Sequence, residues 1–298
     1  MKLVSYETTD GMASFGYLRG DGIIDLPRAV AIFQVAEDLS LDPLDPMLAD
    51  VLELLMFDVE LFREVAAFVE QHGLAAELTA EDPILLPPFS PRRIIALGRN
   101  YAAHAAETGH EPPKEPVFFM KAASSVIGPE EEVIYPKDVG RIDHEVELAV
   151  VIGKGGKRIP RHRAMEHVAG YTILNDVTAR DMQTRDMAAS HPWFLSKSFD
   201  TFGPMGPCLA LPDEIPDPHS LELKLTVNGE VRQESNTSNL IFKIPDLIAS
   251  LSRYLTLEPG DVISTGTPEG ISPIKPGDVM EATIEGIGTL RNPVVREK

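Results

Sequence analysis

Glu145 and Glu147 stand two positions apart in RIDHEVELAVVIGKGG, a stretch that otherwise reads as a core strand. In an extended chain residues i and i+2 project from the same face, so both carboxylates leave the strand side by side. Like charges that close repel, and a proton, a basic side chain or a cation must offset them. Asp176 in GYTILNDVTARD adds a third carboxylate where an apolar strand ends and a helix begins. Three such groups suit a hard divalent ion that prefers oxygen, magnesium or manganese before zinc, and leave coordination positions for water and a bidentate ligand. On a solvated face the same Glu-x-Glu pair is only a polar stripe; the apolar run after Glu147 points instead to burial.

Further chemistry-bearing groups lie in GRNYAAHAAETG, Gly98 to Gly109. Asn100 is expected to cap a helix that Gly109 stops, with His104 and Glu107 on one face at i and i+3. A carboxylate beside an imidazole raises its basicity and fixes its tautomer, as a general base acting on water requires. The alternative is a solvated His–Glu pair. Pro112, Pro113 and Pro116 follow Gly109, which gives this piece the character of a mobile lid.

Positive groups come from TARDMQTRD and WFLSKSFD, with Arg180 one helical turn beyond Asp176, Gln183 one turn beyond Arg180, and Lys197 after the chain's only tryptophan, Trp193. Three carboxylates and a divalent ion sum to about −1, so an anionic ligand needs Arg180 and Lys197; in isolation these would be surface ion-pair formers. In DVISTGTPEG, Thr265 and Thr267 with nearby backbone amides can hold a carboxylate or form a plain turn. His162 and His167 are five apart, share no helix face and are expected at the surface. GKGGK lacks the spacing of a phosphate loop and reads as a β-turn.

The elements that must position these groups are mostly strands. KLVSYET, SFGYLR and IIDL open the chain, followed by helical patterns in RAVAIFQVAEDL and VELFREVAAFVEQHG. The proline-rich TAEDPILLPPFSP reads as a linker, placing a boundary at about residue 85. Beyond it RRIIALG, EVELAVVIG, GYTILNDV, LELKLTV and GDVISTG predict strands, and Asn228-Gly229 between alternating arms predicts a hairpin. Helices are expected around 101–108, around Ala164, after Thr178 and in IPDLIASLSRYL. Strands and helices do not alternate regularly, which disfavours Rossmann and barrel layouts.

Composition narrows the field. A length of 298 residues, 43% of them hydrophobic, suits one large core or a main domain with a smaller companion. No apolar run approaches the roughly 20 residues needed to span a bilayer, and no signal peptide opens the chain, so a cytoplasmic protein is expected. A net charge of −19 argues against nucleic acid as partner. The single cysteine, Cys208, excludes an intrachain disulfide and reads as a buried small hydrophobe.

GRNYAAHAAE, EPVFFMK, DHEVELAVVIGK, GYTILNDVTARDMQ, PWFLSKSFDTFGP, VNGEVRQ and LEPGDVISTGTPEG follow one another in order from about Arg93 to Val294. Together they resemble the fumarylacetoacetate hydrolase family, in its branch of acylpyruvases, fumarylpyruvate hydrolases and oxaloacetate decarboxylases. The resemblance implies an α+β, strand-rich fold: a mixed β-sandwich roll over 86–298 behind a smaller N-terminal α/β domain over 1–85. It also implies magnesium or manganese and a homodimer. Carried over, Glu145, Glu147 and Asp176 become metal ligands, His104 and Glu107 a water-activating dyad on a lid, Lys197 a catalytic cation, and Arg180, Gln183 and Thr267 substrate contacts. The implied activity is hydrolysis of a carbon–carbon bond in acylpyruvate- or fumarylpyruvate-type β-diketo acids through an enolate that the metal stabilises. Decarboxylation of oxaloacetate-like acids, or isomerisation of unsaturated 2-oxo diacids from aromatic breakdown, is the alternative for the same site.

Overall fold

The computed structural model describes residues 1–39 and 59–298, so the expected N-terminal domain over 1–85 lies partly outside the described residues. The fold is α+β and strand-rich, as expected. In hydrogen-bonded order the larger sheet runs Gly22–Asp25, Ala13–Arg19, Lys2–Glu7, Gly203–Ala210, Val168–Asn175, Val146–Ile152, Asp261–Ser264, Arg93–Gly98 and Val117–Lys121. Along this path only Asp261–Ser264 and Arg93–Gly98 pair in parallel. A second sheet runs Glu230–Asn236, Glu222–Val227, Val279–Ile284, Gly288–Arg296 and Val133–Tyr135. The boundary drawn near 85 falls in the short strand Ile84–Leu85, and the strand Lys2–Glu7 pairs directly with Gly203–Ala210.

The strand Val146–Ile152 is buried along its whole length because both its faces are covered. Its even positions, Val146, Leu148, Val150 and Ile152, pack with Leu223, Leu225 and Met280 of the second sheet. Its odd positions, Ala149 and Val151, pack with Phe62, Val65 and Val69 from the helix Val59–Gln71. A period of two therefore puts Glu147 on the same face as Ala149 and Val151, near the start of the strand.

The Asn228-Gly229 hairpin forms as expected, with φ of 53° and 80° at its two turn residues. Two local expectations are corrected. The segment around Ala164, Arg161–His167, is 3-10 helix, and His167 is buried, its Nδ1 within 2.7 Å of the Lys154 carbonyl; only His162 is exposed. Cys208 is buried, and desolvation pushes its thiol up to about 12. The native protein at pH 8 is therefore expected to leave Ellman's reagent unconsumed, while the urea-unfolded chain takes up one equivalent; stoichiometric labelling without denaturant would contradict this burial.

Candidate active site

Antiparallel pairing builds the acidic cluster. Val146 lies opposite Asn175, the Asp176 N–H donates to the Glu145 carbonyl at 2.8 Å, and the Asn175 side-chain oxygen accepts from the Glu145 N–H at 2.9 Å. These bonds fix residues 31 positions apart in sequence against each other. One carboxylate oxygen each from Glu145, Glu147 and Asp176 lies within 4.8 Å of the other two, and all three residues are buried. Oxygen-only donors converging in this way fit a hard divalent ion of the magnesium or manganese kind.

The surrounding cations are equally buried. Lys197 Nζ donates to Glu145 at 2.8 Å and to Asp176 at 2.6 Å. Lys121 Nζ donates to the other Asp176 oxygen at 2.9 Å and to the carbonyls of Val177 and Lys197. Arg180 donates through Nε to Asp143 at 2.7 Å, through Nη1 to Gln183 at 2.6 Å, and through Nη2 to Glu145. Among the described residues no basic side chain bonds to Glu147: its carboxylate accepts from Ser264 Oγ at 2.5 Å and from the Gly266 N–H at 3.0 Å.

These environments drive the two glutamates apart. Burial opposes ionisation of Glu145, but Lys197 and Arg180 outweigh it and hold its carboxyl well below the usual range. Burial raises Glu147 well above that range, and the negative charges of Asp176 and Glu145 add to the effect. Burial works against the charge of Lys197, which Asp176 and Glu145 restore and strengthen, whereas for Lys121 burial wins and the ammonium is weakened.

His104 and Glu107 occupy the helix Ala102–Glu107 and face each other, Nδ1 to Oε2, at 3.4 Å. Burial lowers the His104 pKa, so near neutral pH its imidazole is uncharged and able to accept a proton. Glu107 is itself held from the other side, its Oε1 accepting from the Gly270 N–H at 3.0 Å. Asn100 does not cap this helix; Tyr101 occupies the cap position. The Asn100 side chain instead donates to the carbonyls of Thr265 and Phe242 and accepts from the Phe242 N–H, tying together the loops that frame the site.

A small cavity opens onto this cluster. Glu145, Glu147, Arg180, Gln183, Lys197, His104 and Thr267 all line it, whereas Asp176 and Glu107 do not. Thr265 is not in the lining; its hydroxyl donates to the Leu148 carbonyl at 2.9 Å. Of the backbone amides in this turn, that of Gly266 is already given to Glu147. Thr267 Oγ1 donates to the Val146 carbonyl at 3.0 Å and accepts from Gln233 Nε2 at 2.7 Å. Gln233 is in turn fixed by the Val146 N–H and by His144, which carries its proton on Nδ1 and accepts from Ser272 at Nε2. Trp193 packs against Gly98, where an added Cβ would lie 2.5 Å from the indole.

Sequence reasoning assigned no role to Lys121, Asp143, Ser264 or Gln233. A lysine closing the apolar strand VFFMK was a readable signal for the first, and Asp143 two residues before Glu145 for the second. Gln233 gave none, since it is the buried residue of an otherwise solvent-facing strand from the other sheet.

The sequence matches the Fumarylacetoacetate (FAA) hydrolase C-terminal family over residues 93–295. The chain belongs to the fumarylacetoacetate hydrolase family, whose members are enzymes. It is similar to the human protein named Oxaloacetate tautomerase FAHD2B, mitochondrial, with 43% identity over 265 residues covering 82% of this chain and 84% of that one. An uncharacterized protein from Pyrococcus abyssi is 52% identical over 207 residues, covering 70% of this chain and 92% of that protein. Among solved structures, maleylpyruvate hydrolase from Sphingobium sp. SYK-6, in complex with manganese (II) and pyruvate, superposes with a TM-score of 0.78 at 30% identity over the whole of both chains. A 5-carboxymethyl-2-hydroxymuconate delta-isomerase from Mycobacterium smegmatis superposes with a TM-score of 0.74 at 38% identity, again over all of both chains. Among the described residues no helix is long and apolar enough to cross a membrane.

Proposed function

We propose that this protein is a divalent-metal-dependent hydrolase that cleaves a carbon–carbon bond in acylpyruvate- or fumarylpyruvate-type β-diketo acids. The observation that carries this reading is the convergence of Glu145, Glu147 and Asp176 on one another beside a cavity that Glu145, Glu147 and an uncharged His104 line. The manganese and pyruvate of the similar maleylpyruvate hydrolase support it. Magnesium or manganese held by the three carboxylates would supply Lewis acidity to the 2-oxo acid end of the substrate.

The chain's own groups then divide the work. His104 takes a proton from water as its oxygen adds to the distal carbonyl carbon, and Glu107 stabilises the imidazolium that results. The bond from that carbon to the neighbouring methylene breaks, its electron pair passes to the 2-oxo acid fragment as an enolate, and a proton returned to carbon completes the keto product. Lys197 and Arg180 place positive charge beside the developing enolate, and Gln183 and Thr267 orient the substrate. Met120 of the edge strand Val117–Lys121 and Phe194 and Leu195 of the short helix Phe194–Lys197 are exposed and support the homodimer as part of this proposal; sedimentation at micromolar concentration tests it.

A second reading is favoured by the oxaloacetate tautomerase name of the human relatives and the isomerase name of a structural neighbour. Proton transfer or decarboxylation at the same enolate needs no water at the distal carbon. Turnover of acetylpyruvate, fumarylpyruvate and oxaloacetate with manganese separates the two. Hydrolysis is expected to dominate and to drop at least a hundredfold in His104→Ala, within the roughly 10²–10⁴-fold worth of a positioned general base. Oxaloacetate enolisation or loss that exceeds hydrolysis and ignores His104→Ala would replace the first reading with the second.

A further inference from the structure

The edge strand Glu230–Asn236 buries one side chain, and that side chain is an amide: Gln233 is 1% exposed. A β-bulge puts it there. Leu225 pairs with Gln233 but Thr226 with Val231, so Arg232 is an extra residue in the ladder. A plain period of two would place Val231 and Gln233 on one face; the bulge instead leaves Val231 54% exposed and turns Gln233 inward, toward the strand Val146–Ile152.

All four hydrogen-bonding positions of this amide are taken. Oε1 accepts from the Val146 N–H at 3.1 Å and from His144 Nδ1 at 3.0 Å, and Nε2 donates to Thr267 Oγ1 at 2.7 Å and to the Pro268 carbonyl at 2.9 Å. The same loop meets the bulge again at Gly270, where φ is 95° and a Cβ would lie 2.1 Å from the Arg232 carbonyl oxygen. His144 holds the loop a third time, accepting from Ser272 Oγ at 2.8 Å. The segment 267–272 is thus clamped along its length. Its Gly270 N–H donates to Glu107 Oε1 at 3.0 Å, while Oε2 of the same carboxylate faces His104 Nδ1 at 3.4 Å. The Glu107 side chain is 34% exposed, so water competes for it unless a fixed donor holds it.

We propose that Gln233 is a positioning residue: by clamping the segment 267–270 it fixes the Gly270 N–H, which in turn orients Glu107 toward His104. The proposal rests on the preceding reading in one respect, that His104 with Glu107 is the general base. It goes beyond that reading by giving the second sheet, to which none of the cavity-lining residues belongs, a part in the proton transfer.

Amide hydrogen exchange in the full chain with manganese, read beside kcat, tests it. Gln233→Met keeps the side-chain length and removes the amide. Exchange over 266–272 and 102–110 is then expected to quicken about tenfold, the scale of losing two buried hydrogen bonds, while the helix Ile244–Tyr254 keeps its protection. The kcat for hydrolysis should fall about tenfold, part of the roughly 10²–10⁴-fold worth of a positioned general base, and should fall no further when Gln233→Met is added to Glu107→Gln. Gly270→Ala, which pushes the loop off the bulge and leaves the amide in place, should reproduce both effects and decides the matter if Gln233→Met does not fold. Unchanged exchange over 102–110, exchange that quickens equally in Ile244–Tyr254, or a loss of kcat undiminished in the Glu107→Gln background overturns the positioning role. A wild type that hydrolyses none of the β-diketo acids, with variants whose exchange quickens as expected, overturns the hydrolase reading and leaves the clamp on Glu107 standing.

Discussion

Asp176→Ala is expected to lower the free energy of unfolding by about 3–5 kcal/mol, the cost of breaking a buried ion pair by removing one partner. Asp176 bridges two ammonium groups, Lys121 at 2.9 Å and Lys197 at 2.6 Å. The side chains of Asp176 and Lys121 are 0% exposed and that of Lys197 3%. Lys197 retains Glu145 after the substitution, but Lys121 retains only backbone carbonyls. Lys121 is therefore the group that suffers most. Urea unfolding in excess chelator measures this cost apart from any effect on metal binding. Lys121→Met should also destabilise, and Asp176→Ala with Lys121→Met should lose less than the sum of the two, by about 0.5–3 kcal/mol of coupling. An Asp176→Ala protein within 1 kcal/mol of wild type, or strict additivity in the cycle, would show that the lysines do not depend on this carboxylate.

That arrangement was half readable from the chain. Glu145, Glu147 and Asp176 could be found because alternation along a strand and the end of an apolar run are local patterns, and antiparallel pairing then brings the two segments together. His104 and Glu107 share a helix face for the same local reason. What stayed hidden depends on distant chain. Asn100 has the residue type of a helix cap, yet Thr265 and Phe242, more than 140 positions away, claim its side chain. The turn in DVISTGTPEG that carries Thr265 and Thr267 reads as able to hold a ligand carboxylate, and only the fold shows that its Gly266 amide is already given to Glu147. Gln233 enters from the second sheet, in a strand whose pattern marks it as a solvent-facing edge. Sequence spacing shows which groups share a face; which of them are already engaged, as the Thr265 hydroxyl is by the Leu148 carbonyl, is settled by tertiary packing.

The affinity for magnesium or manganese is expected to fall as pH drops from 8 toward 5, by up to about tenfold per unit, because the ion must displace a proton from Glu147. The sign follows from the shift. Desolvation and the charges of Asp176 and Glu145 raise the Glu147 carboxyl well above 4.5, its ordinary value, so the folded protein binds this proton more tightly than the unfolded chain does. In chelator, the stability that proton confers is present at low pH and is lost as pH rises from the ordinary carboxylate range through the raised pKa. Bound manganese compensates the same charge and removes that loss. Melting temperatures from pH 5 to 8.5 should therefore diverge, declining in chelator and holding level in manganese. Glu145 does not produce this effect, since Lys197 and Arg180 keep it ionised throughout the range. Glu147→Gln keeps an oxygen that can accept from Ser264 and Gly266 and has no charge to neutralise. Its curve in chelator should be flat, and its metal affinity should be weak at every pH. Parallel wild-type curves, or a Glu147→Gln variant that declines as the wild type does, would place the uncompensated charge on another residue.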